Sequence, residues 1–225
     1  TTPHNPTGAI LTRDDLAVIG EVARARDLWI VSDEVYEELV FDGESFASPL
    51  SLAELSDRVI ATSSISKSHA APGFRSGWIV GPQAFCDRLL PLSETMLFGN
   101  QPFIADMTEA AIASGPSDVA RDMRRRYAAR AARLKAGLEA QGALRVHAPQ
   151  AGMFAMIDIS ATGLRSTAYA LDLLEDAGVA VMPGAAFGDT LDDWVRVSLT
   201  VADDRFDAAV SRIADHAASL LGAVR

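Results

Sequence analysis

The sequence has little cysteine, fewer basic than acidic residues and no long apolar run. Its one cysteine, Cys86, cannot form a disulfide within the chain, so a reducing compartment is expected. The formal net charge of −10 argues against general nucleic-acid binding, because that function needs a basic surface that neutralises phosphates. No apolar stretch is long enough to span a bilayer, and no signal-peptide pattern is present. We therefore expect a cytoplasmic protein that contacts neither membranes nor nucleic acid.

What is present is the composition of a globular protein. Hydrophobic residues make up 49% of the 225 residues and charged residues 22%, which predicts a packed core of one large domain or two modest ones. The first residue is Thr1 and not Met, so we expect a chain that begins part-way through a longer protein or was processed. The four histidines lack a metal-ligand spacing such as His-x-x-x-His, and no metal site is expected.

Apolar periodicity predicts helices that alternate with strands in the first half. Thr12 is a suitable N-cap for a first helix, with Asp15 completing a weak capping box. An apolar stripe at helical spacing follows, formed by Leu16, Ile19, Val22 and Ala23. Short apolar runs at residues 28–31, 59–62 and 77–81 predict strands that are buried on both faces of a mostly parallel sheet.

The second half predicts a separate α+β unit. A helical pattern over residues 82–114 is broken near residues 98–102, and Gly115 marks the expected domain boundary, with domains at 1–115 and 116–225. A long helix is predicted from Asp118 to Gln141, with Ser117 or Asp118 as its cap. Further strands are predicted at residues 144–147, 153–159, 179–182 and 194–199, and helices at 167–177 and 203–221. The fold class is therefore α/β, with a C-terminal α+β domain.

The strongest chemical signal is Lys67, which lies in a Ser- and Gly-rich turn directly after an apolar strand. Arg75 follows eight residues later and can bind a phosphate with two hydrogen bonds, to which Ser64 and Ser66 can also donate. A lysine that attacks a carbonyl must be neutral, and burial or nearby positive charge favours that form. The alternative is a solvent-exposed loop lysine, with Arg75 in a surface ion pair.

Asp33 and Tyr36, which follow the first predicted strand, form a second signal. Asp33 ends an apolar strand, where a buried carboxylate needs a cationic partner such as a protonated pyridine nitrogen. Tyr36 could donate its phenol to an oxygen on the same ring. A helix-capping aspartate beside a half-buried tyrosine is the alternative.

Two further residues lie near the ends of the chain. Asn5, in a Pro-His-Asn-Pro-Thr-Gly turn, offers an amide that can hydrogen-bond to a ring hydroxyl. Arg196 lies within an apolar strand, where burial is costly unless the guanidinium is paired, for example with a substrate carboxylate. An ordinary turn and a solvent-facing arginine are the alternatives.

In this order along the chain, the four segments resemble fold-type I enzymes that depend on pyridoxal 5′-phosphate (PLP), specifically the C-terminal two-thirds of the class I/II aminotransferase family. The resemblance implies the C-terminal part of a PLP-binding large domain in residues 1–115 and the small domain in residues 116–225. It also implies a homodimer that acts on amino acids and 2-oxo acids. No arginine for a dicarboxylic side chain is present around residues 100–102, which makes a dicarboxylic substrate less expected.

The resemblance also implies a role for each matching residue. Lys67 would hold PLP as a Schiff base and shuttle the proton, and Asp33 would pair with the pyridinium nitrogen. Asn5 and Tyr36 would contact the phenolic oxygen. The phosphate would be held by Ser64, Ser66 and Arg75. Arg196 and Asn5 would bind the substrate, with Arg196 on its α-carboxylate.

Two other functions are compatible with the same residues. A PLP-dependent β-lyase could use the same lysine, aspartate and arginine. A non-catalytic fragment is the other possibility, because the family has a further phosphate-binding loop upstream of the Asn-Pro-Thr-Gly turn. These 225 residues alone are therefore expected to be inactive.

Overall fold

The computed structural model describes residues 1–99, 101–115, 117–140, 142 and 144–223. Two compact units make up the chain: the first comprises Thr1–His4 and Ala9–Arg124, and the second comprises Asn5–Gly8 and Arg125–Arg225. The domain boundary at residues 115 and 116 stays a prediction, and Pro116 lies outside the described residues.

The first unit contains a three-stranded sheet. Strand β1 (Ile30–Asp33) runs parallel to β2 (Val59–Ser64), and β3 (Gly77–Val80) runs antiparallel to β2. The α/β class is confirmed, with one parallel and one antiparallel strand pair in this sheet. Its helices are α1 (Arg13–Ala25), α2 (Ile65–Ser68), α3 (Gln83–Leu97) and α4 (Pro102–Ala113). The predicted break in the helical pattern near residues 98–102 separates α3 from α4; Asn100 lies outside the described residues.

Helix α1 begins at the predicted cap. The Thr12 hydroxyl accepts a hydrogen bond from the Asp15 amide, and the Asp15 carboxylate accepts one from the Thr12 amide, so the capping box is confirmed. Only part of the predicted apolar stripe is buried, because Ile19 is 39% exposed and Val22 54% exposed. Gly20 takes the contact position instead: a Cβ there would lie 2.7 Å from a Leu55 methyl group. The core of this unit includes Leu16, Leu52, Leu55 and Val59.

The prediction that all three strands are buried on both faces was wrong. β2 is buried at Val59, Ile60 and Ala61, but Val31 in β1 is 66% exposed and Val80 in β3 is 48% exposed. Both strands are edges of this sheet, and successive side chains point to opposite faces. Ile30 packs into the α1 core, so Val31 points to the other face. That face borders an open apolar cavity of ≈ 830 Å³, lined in part by Trp29, Val31, Ile60, Ile79 and Phe85.

The second unit is an α+β structure with an antiparallel four-stranded sheet. The strand order is β4-β5-β7-β6, where the strands are β4 (Arg145–His147), β5 (Phe154–Asp158), β6 (Met182–Pro183) and β7 (Trp194–Ser198). The helices from residue 118 onward are α5 (Asp118–Glu139), α6 (Ser166–Ala177) and α7 (Asp203–Ala223). The predicted start of α5 is confirmed, with Ser117 accepting from the Ala120 amide; the predicted end at Gln141 lies outside the described residues.

The core of the second unit forms around β5, in which only Asp158 is not buried. The register pairs Met156 of β5 with Arg196 of β7, and Arg196 in turn with Met182 of β6. The helices contribute large, fully buried side chains, among them Leu134, Leu138, Tyr169, Leu173 and Phe206. Within the described part of the chain, no helix has the length and apolarity that crossing a membrane requires.

The strand predicted at residues 179–182 is mostly absent. Gly178 ends α6 in a left-handed conformation, and residues 179–181 are not in a strand. Pairing with β7 is limited to Met182 and Pro183, because a 3-10 turn, Gly184–Phe187, follows at once. The strand prediction was therefore wrong for residues 179–181, because it used apolar character alone and these residues form a connecting segment.

Candidate functional site

In the first unit, the carboxyl ends of two parallel strands carry the predicted cofactor residues. Asp33 is the last residue of β1 and lies opposite Thr62 of β2, and Ser64 is the last residue of β2. Because β1 and β2 are parallel neighbours, their carboxyl ends lie at one edge of the sheet. This is the edge at which open α/β sheets bind ligands.

Asp33 is held by its own loop. One of its carboxylate oxygens accepts a hydrogen bond from the Val35 amide at 3.2 Å, and its main-chain oxygen accepts one from Thr2 at 3.1 Å. Tyr36 follows in the same turn and is 8% exposed. The side chain of Asp33 is half-buried, so one oxygen supports the loop while the other remains available to a cationic partner.

Lys67 lies in the short helix α2, directly after β2. The Ser64 hydroxyl accepts from the Ser66 amide at 3.3 Å, and the Ser68 hydroxyl donates to the Ser64 carbonyl at 3.2 Å, which together fix the turn. The Ser117 hydroxyl also donates to the Ser68 carbonyl at 3.0 Å. Lys67 is half-buried in this turn. The predicted loop is thus a helical turn that the sequence did not reveal.

Helix α2 contacts two other turns of the first unit. One is the 3-10 turn Glu37–Leu39, which directly follows Tyr36, and the other is Pro72–Phe74, which directly precedes Arg75. Arg75 has a left-handed backbone, with φ of 53°, and its guanidinium donates to the Pro72 carbonyl at 3.0 Å. Its side chain is exposed. The structure thus brings the turns that carry Tyr36, Lys67 and Arg75 together.

Two carboxylates lie behind this edge and were not singled out from the sequence. Burial raises the pKa of Glu34, although hydrogen bonds from Ser48 and Ser32 partly offset the effect. Burial likewise raises the pKa of Glu37, which accepts a hydrogen bond from Ser63 at 2.9 Å. Both line a cavity of ≈ 400 Å³ within the first unit. Because serine hydroxyls donate to both carboxylates, Glu34 and Glu37 stabilise the loops at the strand ends.

In the second unit, Asn5 and Arg196 are in direct contact. A guanidinium nitrogen of Arg196 donates to the Asn5 side-chain oxygen at 2.8 Å. The turn that carries Asn5 is attached through Gly8, whose carbonyl accepts from the Gln150 and Ala151 amides at 3.0 and 3.1 Å. The sequence predicted both residues near a substrate, but it did not predict that one would orient the other.

Aromatic rings near Arg196 were also missed. The guanidinium carbon lies over the ring of Phe154 at 5.5 Å and over the ring of Phe187 at 4.9 Å from the ring centroids. Phe187 belongs to the Pro-Gly-Ala-Ala-Phe-Gly segment at residues 183–188, which directly follows the first residue of β6. Such cation–π contacts are not detectable from residue spacing, because the partners lie on different strands and turns.

A polar cluster on α6 and α7 also escaped the search for metal-ligand spacing. Potential ligand atoms of Asp172, Asp176 and His216 lie within 4.8 Å of one another. His216 Nε2 is 3.0 Å from the Asp172 carboxylate, and its buried Nδ1 has no hydrogen-bond partner in the part of the chain that the structure describes. A ligating histidine needs an acceptor for its second nitrogen. The Nε2–H form, which donates to Asp172, suits these surroundings, so the contact is a structural one.

This chain belongs to the class I and II aminotransferase family, whose model matches residues 1–213. The arginine–pyruvate transaminase of Pseudomonas aeruginosa is 43% identical over 220 residues, covering 98% of this chain and 56% of the relative. The aromatic-amino-acid aminotransferase 2 of Thermococcus litoralis is 32% identical, covering 94% of this chain and 54% of the relative. The chain therefore spans about half the length of these relatives.

Solved structures agree with this assignment. The crystal structure of an aromatic aminotransferase from Pyrococcus horikoshii superimposes with a TM-score of 0.88 at 30% identity, covering 99% of this chain and 59% of that one. An aspartate aminotransferase from Thermus thermophilus, with maleate, gives a TM-score of 0.85 at 30% identity, covering 96% of this chain and 55% of that one. The predicted resemblance and the fold-type I class are thereby confirmed.

Proposed function

We propose that this chain is the C-terminal part of a PLP-dependent aminotransferase that moves an amino group from an amino acid to a 2-oxo acid, with Lys67 as its central residue. The observation that supports the proposal is the convergence of Asp33, Tyr36 and Lys67 at the carboxyl ends of β1 and β2, in a chain that belongs to the aminotransferase family. A homodimer stays a prediction from the resemblance.

The donor set of the first unit fits PLP group by group. The pyridine nitrogen needs an anion, which Asp33 provides with the carboxylate oxygen that does not cap the loop. The phenolic oxygen needs a donor, and the buried Tyr36 phenol is one. Ser64, Ser66 and Arg75 supply two hydroxyls and a guanidinium for a phosphate, and Lys67 supplies a primary amine for the aldehyde. When bound, PLP supplies an electron sink for charge that develops at the substrate Cα.

The residues of the chain would do the remaining chemistry. Lys67 would take the proton from the substrate Cα and return it to the cofactor's C4′ carbon, which is general acid–base catalysis by an amine. Asp33 would keep the ring nitrogen protonated. In the second unit, Arg196 would bind the α-carboxylate that amino acids and 2-oxo acids share, and the Asn5 amide would set the direction of its guanidinium. Among the residues that the structure describes, no contact favours the β-lyase over this reaction, and the relatives named above are transaminases.

Cofactor attachment is tested by borohydride trapping in the full-length protein. The purified protein is incubated with PLP, reduced and digested, and the cofactor mass is located by peptide mass spectrometry. We expect the mass on the peptide with Lys67. The matched control is Lys135, the other lysine of this chain, which forms an ion pair with Glu139 on α5. Labelling of Lys135 with Lys67 unmodified would refute the assignment.

Activity is tested with the same protein. Arginine, aspartate and an aromatic amino acid are each offered with pyruvate or 2-oxoglutarate, and formation of the new amino acid is measured against ammonia release. Lys67→Ala should lower transfer by about 10²-fold or more, whereas Lys135→Ala should leave it unchanged. Release of ammonia without transfer would favour the lyase instead.

A further inference from the structure

We propose that Phe187 is a positioning residue for Arg196, whose ring holds the guanidinium in the orientation that binds a substrate carboxylate. This inference rests on the proposed function, because it assigns a determinant of carboxylate binding within it. The supporting contact is the guanidinium carbon of Arg196 above the Phe187 ring, 4.9 Å from its centroid. Both side chains are half-buried, so the contact lies at a surface that a small ligand can reach.

The path of the chain explains why Phe187 reaches this position. Met182 of β6 pairs with Arg196 of β7, and Pro183 pairs with Val195. Gly184 then turns the chain so closely against its neighbours that a Cβ would lie 2.0 Å from the Leu191 carbonyl oxygen. The 3-10 turn that begins at Gly184 ends at Phe187. Strand β6 thus lies beside Arg196, and the turn that only glycine permits brings the Phe187 ring back to the Arg196 guanidinium.

The guanidinium of Arg196 has two kinds of partner, namely aromatic rings and a hydrogen-bond acceptor. Aromatic faces attract cations, and the guanidinium carbon of Arg196 lies over the rings of both Phe154 and Phe187. Hydrogen bonds leave from the N–H edge in the plane, and one of them goes to Asn5. A carboxylate binds arginine through the same edge with two parallel hydrogen bonds. An aromatic face that holds the guanidinium in place therefore restricts the directions from which a carboxylate can be bound.

Phe154 differs from Phe187 in a way that determines which of them to change. Phe154 is 3% exposed and belongs to the central strand β5, so its replacement would create a cavity in the core. Phe187 lies at the end of a short turn and is half-buried. Changing Phe187 therefore tests the ring contact with less damage to the fold.

The experiment compares Phe187→Leu with Phe187→Tyr in the full-length holoenzyme. Leucine removes the aromatic face and retains an apolar side chain, whereas tyrosine retains the face. We expect Phe187→Leu to raise KM about 5- to 30-fold for both the amino acid and the oxo acid, with kcat within about twofold, and Phe187→Tyr to stay near wild type. Equal KM values in both variants, or a fall in kcat with KM unchanged, would overturn the inference.

A binding measurement separates this inference from the proposed function. Pyruvate is titrated calorimetrically into wild type, Phe187→Leu and Phe187→Tyr, with thermal melting to verify folding. Weaker binding in the leucine variant alone supports the role of Phe187, even if no oxo acid accepts an amino group, in which case only the proposed function fails. Equal pyruvate affinity in all three proteins, or no binding to the wild type, overturns the inference regardless of the activity.

Discussion

Arg130 of α5 donates from Nε to a carboxylate oxygen of Asp203, in the first turn of α7, at 2.9 Å. The guanidinium is only 5% exposed, and its Nη1 also donates to the Leu199 carbonyl at 2.7 Å. Arg133, one turn further along α5, donates to the same Asp203 oxygen at 2.6 Å. Two arginines thus converge on one acid, which connects α5 to the start of α7.

This convergence predicts a pH-dependent stability. Hydrogen bonds from Arg130 and then Arg133 hold the pKa of Asp203 well below its usual range. A depressed folded-state pKa stabilises the fold above the unfolded value of about 3.9, and this stabilisation is lost as pH falls from there through the folded pKa. We expect Asp203→Asn to lower the melting temperature at neutral pH and to match wild type more closely at about pH 3.

Asp204 provides the matched control for this prediction. It lies beside Asp203 in the first turn of α7 and is exposed. Asp204→Asn should change the melting temperature little at either pH, as is usual for exposed carboxylates. If Asp203→Asn lowered the melting temperature by the same amount at neutral and acidic pH, the role given to the ionised carboxylate would be contradicted.

Gly8→Ala should weaken the attachment of the Asn5 turn. Gly8 has φ of +73°, and an added Cβ would lie 2.5 Å from Pro149 Cβ and 2.6 Å from the Ala151 carbonyl oxygen. Both the left-handed backbone and the clash are unfavourable, so we expect a loss of about 2–4 kcal/mol in the free energy of unfolding. Because Asn5 contacts Arg196, carboxylate binding should also weaken.

Gly163→Ala separates the two causes. Gly163 has a similar φ of +74°, but a Cβ there would have no atom within 4 Å. This variant should therefore lose only about 1–2 kcal/mol, the cost of the left-handed conformation, and should bind carboxylates as wild type does. Chemical denaturation of both variants measures the difference, and equal losses would show that Pro149 and Ala151 accommodate the new methyl group.

Local sequence signals predicted the elements whose ends are determined locally. Thr12 and Asp15 predicted the start of α1, and Ser117 the start of α5, because caps depend on residues within one turn. Asp33 was predicted at the carboxyl end of a strand because it ends an apolar run, and it is the last residue of β1, opposite Thr62 of β2. These inferences need no knowledge of what packs against the element.

Contacts between residues far apart along the chain could not be predicted from the sequence. The exposure of Val31 depends on which face of β1 the rest of the chain covers, and apolar character alone cannot reveal that. The contact of Arg196 with Phe187 requires the β6–β7 register and the close approach of Gly184. The spacing of these residues along the chain contains neither piece of information, so the contacts of Arg196 with Asn5 and Phe187 could be identified only from the structure.

Ser117 connects the turn of Lys67 to helix α5, which predicts two separable effects. Its hydroxyl accepts from the Ala120 amide and donates to the Ser68 carbonyl, both at 3.0 Å. Ser117→Ala removes both bonds and should cost about 1–2 kcal/mol. Ser117→Asp keeps an acceptor for the helix cap but has no hydroxyl to donate to Ser68.

Hydrogen–deuterium exchange on the full-length protein distinguishes the two bonds. Amides in the first turn of α5 should exchange faster in Ser117→Ala only, whereas amides of residues 65–69 should exchange faster in both variants, because the Ser68 carbonyl has lost its donor. Ser114→Ala is the control, since its hydroxyl donates only to Ala110 within α4 among the described contacts. If the aspartate variant protected residues 65–69 as well as serine does, the bond to Ser68 would not be what holds the Lys67 turn in place.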